Sequence, residues 1–202
     1  MSTVPTPKRA AILDAAKRVF IAHGYSGASM EAIAEAAPVS KPTLYSHFKG
    51  KQELFAAVVA GQCEALLGTL SRAQAEQPDA LSGLKAVARS FVDLVYAEEA
   101  LSLYRMIVAE QPKFPDLGTL VYRASADPIL HRLSSYLTEL HESGALRIPD
   151  VATSSRLLTS MLKGDEHFRC LMGLQPALSE AEKERLVDAA VDLFLKGHGY
   201  AA

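Results

Sequence analysis

Apolar residues along this chain recur at i, i+3 and i+4 almost throughout, and strand-like alternation is scarce, so the pattern predicts an all-α fold. The first helix has Thr6 as N-cap, Pro7 at its first position and Gly24 as its stop, with Ile12, Ala15, Ala16, Val19 and Phe20 as its buried stripe. A short second helix follows Ser29 and carries Met30, Ile33, Ala34 and Ala37; a third follows Ser40 and carries Leu44, Tyr45 and Phe48. A long helix is expected from about Lys51 toward Gln77, close to ~40 Å at ~1.5 Å per residue. Pro78 and Asp79 mark a boundary, a fifth helix reaches about Tyr96, and a sixth spans roughly Ala100 to Glu110. Pro112 and Pro115 make a loop of the stretch between Gln111 and Asp116, since each removes a helical donor. Helix resumes from Leu117 to Tyr122, again after Asp127-Pro128 until Gly144, and again after Asp150. Ser179 and Glu182 form a capping box for the last helix, which Gly197 ends. The expected architecture is a three-helix head, residues 1–50, and a body of about six helices, residues 51–202.

The chemistry concentrates in residues 29–48, SMEAIAEAAPVSKPTLYSHF. Two helices this short are unstable alone and need a third, which the Ile12 to Phe20 stripe supplies. Such a trio is the arrangement by which a helix-turn-helix lays its second helix in the major groove. Ser29 and Ser40 stand at the two helix starts, and Pro42 lies in the first turn of the second. The N-terminal amides after Ser40 are anion donors. Lys41 and Lys51 suit phosphates, Thr43 can reach a base edge or a thymine methyl, and Tyr45 and His47 offer polar tips to the backbone. The plainer alternative makes Tyr45 half core, and Lys41 and Lys51 solvated charges.

The same residues resemble the DNA-binding domain of the TetR family. The likeness runs from Ile12 to Leu54: Ile12-Leu13-Asp14-Ala15-Ala16, Phe20, Gly24-Tyr25, Ser29-Met30, Ile33-Ala34, Ala36-Ala37, Val39-Ser40-Lys41, Thr43-Leu44-Tyr45, His47-Phe48, Lys51 and Leu54. The segment from Leu101 through Leu174 resembles an AefR-type regulatory domain, chiefly in RMIVAEQPKFPDL and LKGDEHFRCLMG. One position departs. The family has glycine where this chain has Pro38. Glycine takes positive φ freely, whereas proline fixes φ near −65° and pushes Ala37 out of helical geometry. A reshaped turn, a second helix ending by Ala36 and an altered docking angle are therefore expected.

The resemblance implies a homodimer, a palindromic DNA operator and release from it by a small hydrophobic effector, with repression as the default. The long helix from Lys51 would act as lever. It also implies that the last two helices pair with their copies, through Leu157, Leu158, Met161, Leu162, Leu186, Val187, Ala190, Val191 and Phe194. The alternative is that these faces are used inside one subunit. A ligand pocket is expected among Phe91, Tyr104, Arg105, Phe114, Tyr122, His167 and Phe168, against the alternative of plain core packing. A body without such a cavity would favour a ligand-independent DNA-binding regulator or adaptor.

Composition sharpens this picture. The net charge of −2 conceals a head of +4 in residues 1–51 and a remainder of −6, so a basic lobe that attracts phosphates is joined to an acidic one. No apolar run approaches the ~18 residues that span a bilayer, and the first residues lack a signal core, so a soluble cytoplasmic protein is expected. Cys63 and Cys170 lie far apart in no metal-ligand spacing and read as reduced buried thiols; no metal or cofactor is expected. Asp165, Glu166 and His167 are sequence neighbours, as are His141 and Glu142, and neighbours on a helix point about 100° apart. They do not converge on one substrate, and no hydrolase, P-loop or dinucleotide motif occurs, so catalysis is not expected.

Overall fold

A computed structural model describes residues 7–76 and 79–200; the expected cap Thr6 and the boundary residue Pro78 lie outside them. Eleven helical segments and no strand occur among the described residues: α1 (Pro7–Gly27), α2 (Met30–Ala36), α3 (Lys41–His47), α4 (Lys51–Gln62), α5 (Glu64–Glu76), α6 (Ala80–Val95), α7 (Glu98–Glu110), α8 (Asp116–Ala124), α9 (Ala126–Glu142), α10 (Val151–Leu171) and α11 (Glu180–Gly197). No single helix among them is long and apolar enough to cross a membrane.

The helix ends follow local chemistry. Asp79 accepts from the Ser82 amide and Asp150 from the Thr153 amide, which satisfies first-turn donors at the starts of α6 and α10. The Ser179–Glu182 capping box is present at α11. Gly24 interrupts α1 at φ 71°, so its regular part ends where the sequence placed its stop. Two breaks were not foreseen. The expected helix from Lys51 to Gln77 is two helices, separated at Cys63. The helix after Asp150 is broken at Gly164, with φ 59° and ψ −163°. There the Tyr96 hydroxyl donates to the Lys163 carbonyl, a group the break leaves without its usual helical donor.

The chain forms two compact units. The first joins residues 1–62 with residues 102–125, so α4, most of α7 and α8 pack with the three-helix head and the unit does not close at residue 50. Its core holds Ile12, Phe20, Ile33, Leu44, Phe48, Leu54 and Phe55, joined by Leu103 and Leu117. Phe20 and Tyr25 meet the Phe55 ring edge to face at 4.9 and 5.2 Å, and Phe114 meets Tyr25 at 5.0 Å. Burial of a side chain such as Ile33 or Leu44 contributes roughly 1.5–3 kcal/mol, which is what holds seven-residue helices that would melt alone.

The second unit comprises residues 63–101 and 126–202. Here α6 packs against α5, α10 and α11, and α9 against α5 and α10. Its core includes Leu66, Leu84, Phe91, Tyr96, Tyr136, Leu137, Leu158, Leu162, Val191 and Phe194. Both cysteines are buried and not disulfide-bonded to each other, and desolvation pushes the Cys63 thiol up to about 11.

Candidate nucleic-acid interface

In the first unit α2 and α3 pack on each other, and α1 supports α2. Each of the two short helices is capped by its serine. Ser29 Oγ accepts from the Ala32 amide at 3.1 Å, and Ser40 Oγ accepts from the Thr43 amide at 3.3 Å. The hydroxyls of Ser40 and Thr43 also lie 2.8 Å apart, which fixes Thr43 at the head of α3. Leu44 is fully buried and anchors the helix, while Lys41, Pro42 and Tyr45 are exposed beside it. Tyr45 is 48% exposed, so its ring belongs to the surface and not to the core. His47 is half-buried, its ring 6.4 Å from that of Phe48.

The turn between the two helices corrects the expectation for Pro38. Helix α2 ends at Ala36, as anticipated, but Pro38 has φ +21° instead of the −65° its ring prefers. The Ala37 amide bonds to the Ile33 carbonyl at 2.9 Å, and the Val39 amide bonds back to the Ala34 carbonyl at 3.1 Å. The second of these is the long closing bond of a Schellman motif, in which the residue after the C-cap takes positive φ and glycine is favoured. The backbone thus keeps a glycine-type turn and carries the cost at Pro38, because the packing of α2 and α3 fixes where Val39 must go.

Lys51 also departs from its expected role. Its ammonium donates to the carbonyls of Tyr25 at 2.8 Å and Ala28 at 3.0 Å, lies 3.5 Å from that of Ser26, and sits 4.7 Å from the centre of the Tyr25 ring. It ties the segment leading to α2 onto the start of α4, and its donors point into the unit. Sequence spacing could not show this, because the carbonyls it meets lie 23 to 26 residues away. Glu110 of α7 grips the same segment from another side. Its Oε1 accepts from the Ser26 amide at 3.2 Å and the Ser26 hydroxyl at 2.8 Å, and those donors hold the carboxyl below its ordinary value. A Cβ on Gly24 would lie 2.8 Å from that oxygen, so Gly24 is required both for its φ and for the approach of Glu110.

The second unit holds an apolar cavity of about 10 Å³, the volume of about one water, lined by Leu66, Leu70, Val87, Phe91, Ile129, Leu133, Leu158, Thr159 and Leu162. Of the seven residues expected to line a pocket, only Phe91 is among these. Tyr104, Tyr122 and Phe168 are exposed, Arg105 is half-buried, and Phe114 packs on Tyr25 in the first unit. His167 is buried against Tyr96 at 5.5 Å, and desolvation lowers its pKa.

The expected dimer face is also divided. Leu158, Leu162, Val187, Ala190, Val191 and Phe194 are buried in the core of the second unit. Leu157 is 57% exposed, and Met161 and Leu186 are half-buried. Both helices carry apolar residues on two sides, so periodicity alone could not tell the inward side from the outward one. Leu193, 62% exposed, lies on the outward side of α11.

Two capped short helices on a third, the second of them presenting Lys41 and Tyr45, define a helix-turn-helix DNA-binding regulator. Residues 12–58 match the family described as bacterial regulatory proteins, tetR family, and residues 82–200 match the C-terminal domain of AefR-like transcriptional repressors. The chain belongs to the TetR family of transcriptional regulators, with an AefR-like C-terminal domain. A TetR-family regulator structure from Mesorhizobium loti MAFF303099 is 31% identical, with a TM-score of 0.80 over 98% of this chain and 100% of that one. The flavonoid-responsive regulator FrrA is 30% identical, with a TM-score of 0.70 over 96% of this chain and 98% of that one. The transcriptional activator FasR of Mycolicibacterium smegmatis is 37% identical over 100 residues, which are 50% of this chain and 45% of that one, so the match spans less than half of its length.

Proposed function

We propose that this regulator is a cytoplasmic homodimeric repressor that binds a palindromic operator and leaves it when a small hydrophobic effector enters the second unit. The observation that carries the DNA half is α3 itself: a serine-capped helix with a buried Leu44 and an exposed first turn holding Lys41, Pro42 and, partly, Thr43. Two such helices in a two-fold dimer, roughly 34–36 Å apart, meet successive major grooves and require an inverted-repeat site. Leu157 and Met161 on α10 and Leu186 and Leu193 on α11 are the apolar residues left for a dimer contact after the core is filled.

The match to a C-terminal domain described for AefR-like repressors supports repression; the similarity to an activator concerns half of the chain. The effector half rests on an apolar cavity in which Thr159 is the polar lining residue. At its present size the cavity admits no ligand, so an effector selects a conformer in which α10 has moved from α6 and α9, and its differential affinity for that conformer sets the size of the response. The same small volume favours a second reading, a regulator that binds DNA without an effector. FrrA responds to flavonoids, which makes planar aromatic molecules the first probes. Operator duplexes selected from a random pool should be bound by a dimer, and a flavonoid aglycone panel should include one member that weakens this binding at least tenfold. If no member of that panel or of a panel of aliphatic acids changes the affinity, the ligand-independent reading stands.

A further inference from the structure

An acidic side chain stands at the DNA-reading surface of this basic lobe. Glu31, in the first turn of α2, places Oε1 3.2 Å from the ammonium of Lys41, the first residue of α3. Both side chains are exposed, 56% and 61% respectively. We propose that Glu31 determines specificity through Lys41: it holds the ammonium away from the phosphates of arbitrary DNA and releases it on the operator. The inference rests on the helix-turn-helix reading of α2 and α3.

The argument is one of competing partners. Lys41 sits beside the N-terminal amides of α3, the end of the helix that approaches the duplex. A carboxylate within hydrogen-bonding distance of its ammonium is within reach of the same phosphates. Glu31 is a carboxylate at neutral pH like any exposed glutamate, and its own backbone amide and Lys41 hold its carboxyl below the ordinary value. The pair therefore presents no net charge to a passing duplex. On a random sequence α3 is not drawn to a fixed depth, and a phosphate at variable distance competes poorly with a carboxylate at 3.2 Å. On the operator, base contacts from the first turn of α3 hold the helix in place. A pair this exposed is weak enough to open there. Lys41 then adds one phosphate contact on specific DNA that it does not make on non-specific DNA.

The test is a salt titration by fluorescence anisotropy with a labelled duplex of random sequence. Glu31→Gln should steepen the slope of log K against log[salt] by ~0.9, one extra phosphate contact. Its gain over the unmodified protein should then shrink about 3.5-fold when salt is raised about fourfold. The effect should vanish in a Lys41→Met background, and Glu35→Gln on the same helix should leave the slope alone. Lys41→Met by itself should leave the random-duplex slope unchanged yet lower the slope on a selected operator by ~0.9. An unchanged slope in Glu31→Gln overturns the proposal, as does the same increase in the Lys41→Met background, which would be plain removal of a repelling charge. Should Glu31→Gln fail to fold, a full unit lost by Lys41→Met on random DNA overturns it instead. Failure of the unmodified protein to bind any duplex would defeat the helix-turn-helix reading, an outcome distinct from all of these.

Discussion

Replacing Pro38 by glycine should stabilise this protein, against the usual sign for removing a proline from a loop. Where a proline sits in a relaxed turn, its loss costs about 0.4–1 kcal/mol, because the unfolded chain regains conformational freedom. Here Pro38 is held at φ +21°, far from the −65° of its ring, and strain of that kind costs about 1–3 kcal/mol. Proline also lacks the amide that would bond to the Glu35 carbonyl as the second bond of the Schellman motif, worth about 0.5–1.5 kcal/mol. Glycine removes the strain, supplies the amide and carries only the entropic cost. The balance is a gain of about 2 kcal/mol. A chain of this size, unfolding as one unit, moves by about 2–4 °C per kcal/mol, so the protein should melt about 4–8 °C higher. Calorimetry resolves the two units if they unfold separately, and hydrogen exchange at the Leu44 and Phe48 amides reports the first unit in either case. Pro38→Ala, which keeps a Cβ at positive φ, should fall between the two proteins. A Pro38→Gly protein less stable by about 0.4–1 kcal/mol would show that the turn is relaxed at the proline's ordinary φ and would refute the reasoning.

Other outcomes test the junction around Ser26. Gly24→Ala should destabilise the first unit by about 1–3 kcal/mol through its φ alone, read as a lower denaturant midpoint. It should also displace Glu110 from Ser26, and a Ser26→Ala background, which keeps the amide bond and loses the hydroxyl bond, should reduce that second part. Glu110 is held below the ordinary glutamate value of 4.5 in the folded protein, so it contributes stability above pH 4.5 that is lost as pH falls through its folded value. Glu110→Gln should therefore lose less stability than the unmodified protein between neutral pH and the acid limb; equal acid losses would remove Glu110 from the account. Leu157→Asp combined with Leu193→Asp should convert a dimer to a monomer in sedimentation velocity with little change in the helical signal, since both side chains are exposed. A dimer that persists would place the contact elsewhere.

Many of the helix starts were legible because their signals are local. Ser29, Ser40, Asp150 and the Ser179–Glu182 box cap the helices they were expected to cap, since a cap bonds only two or three residues onward. Leu44 and Ile33 are buried where helical spacing put them. What sequence could not give was set by long-range packing. Lys51 reads as a phosphate ligand until Tyr25, Ser26 and Ala28 are seen beneath it. The break at Gly164 is supported by Tyr96, whose partner Lys163 is 67 residues away. Leu158 and Leu157 are adjacent and equally apolar, yet one is buried and the other 57% exposed, because the position of α6 and α9 decides which side of α10 faces inward. Pro38 shows the reverse case, in which local preference was clear and tertiary packing overrode it.

The central claim is best tested by selecting duplexes from a random pool with the full chain and measuring the stoichiometry on the winners. The enriched sequences should be inverted repeats with half-site centres about one helical turn, ~10 base pairs, apart or a multiple of it, bound by two chains. A monomeric protein that enriches no sequence and retains no duplex even in dilute buffer would contradict the account.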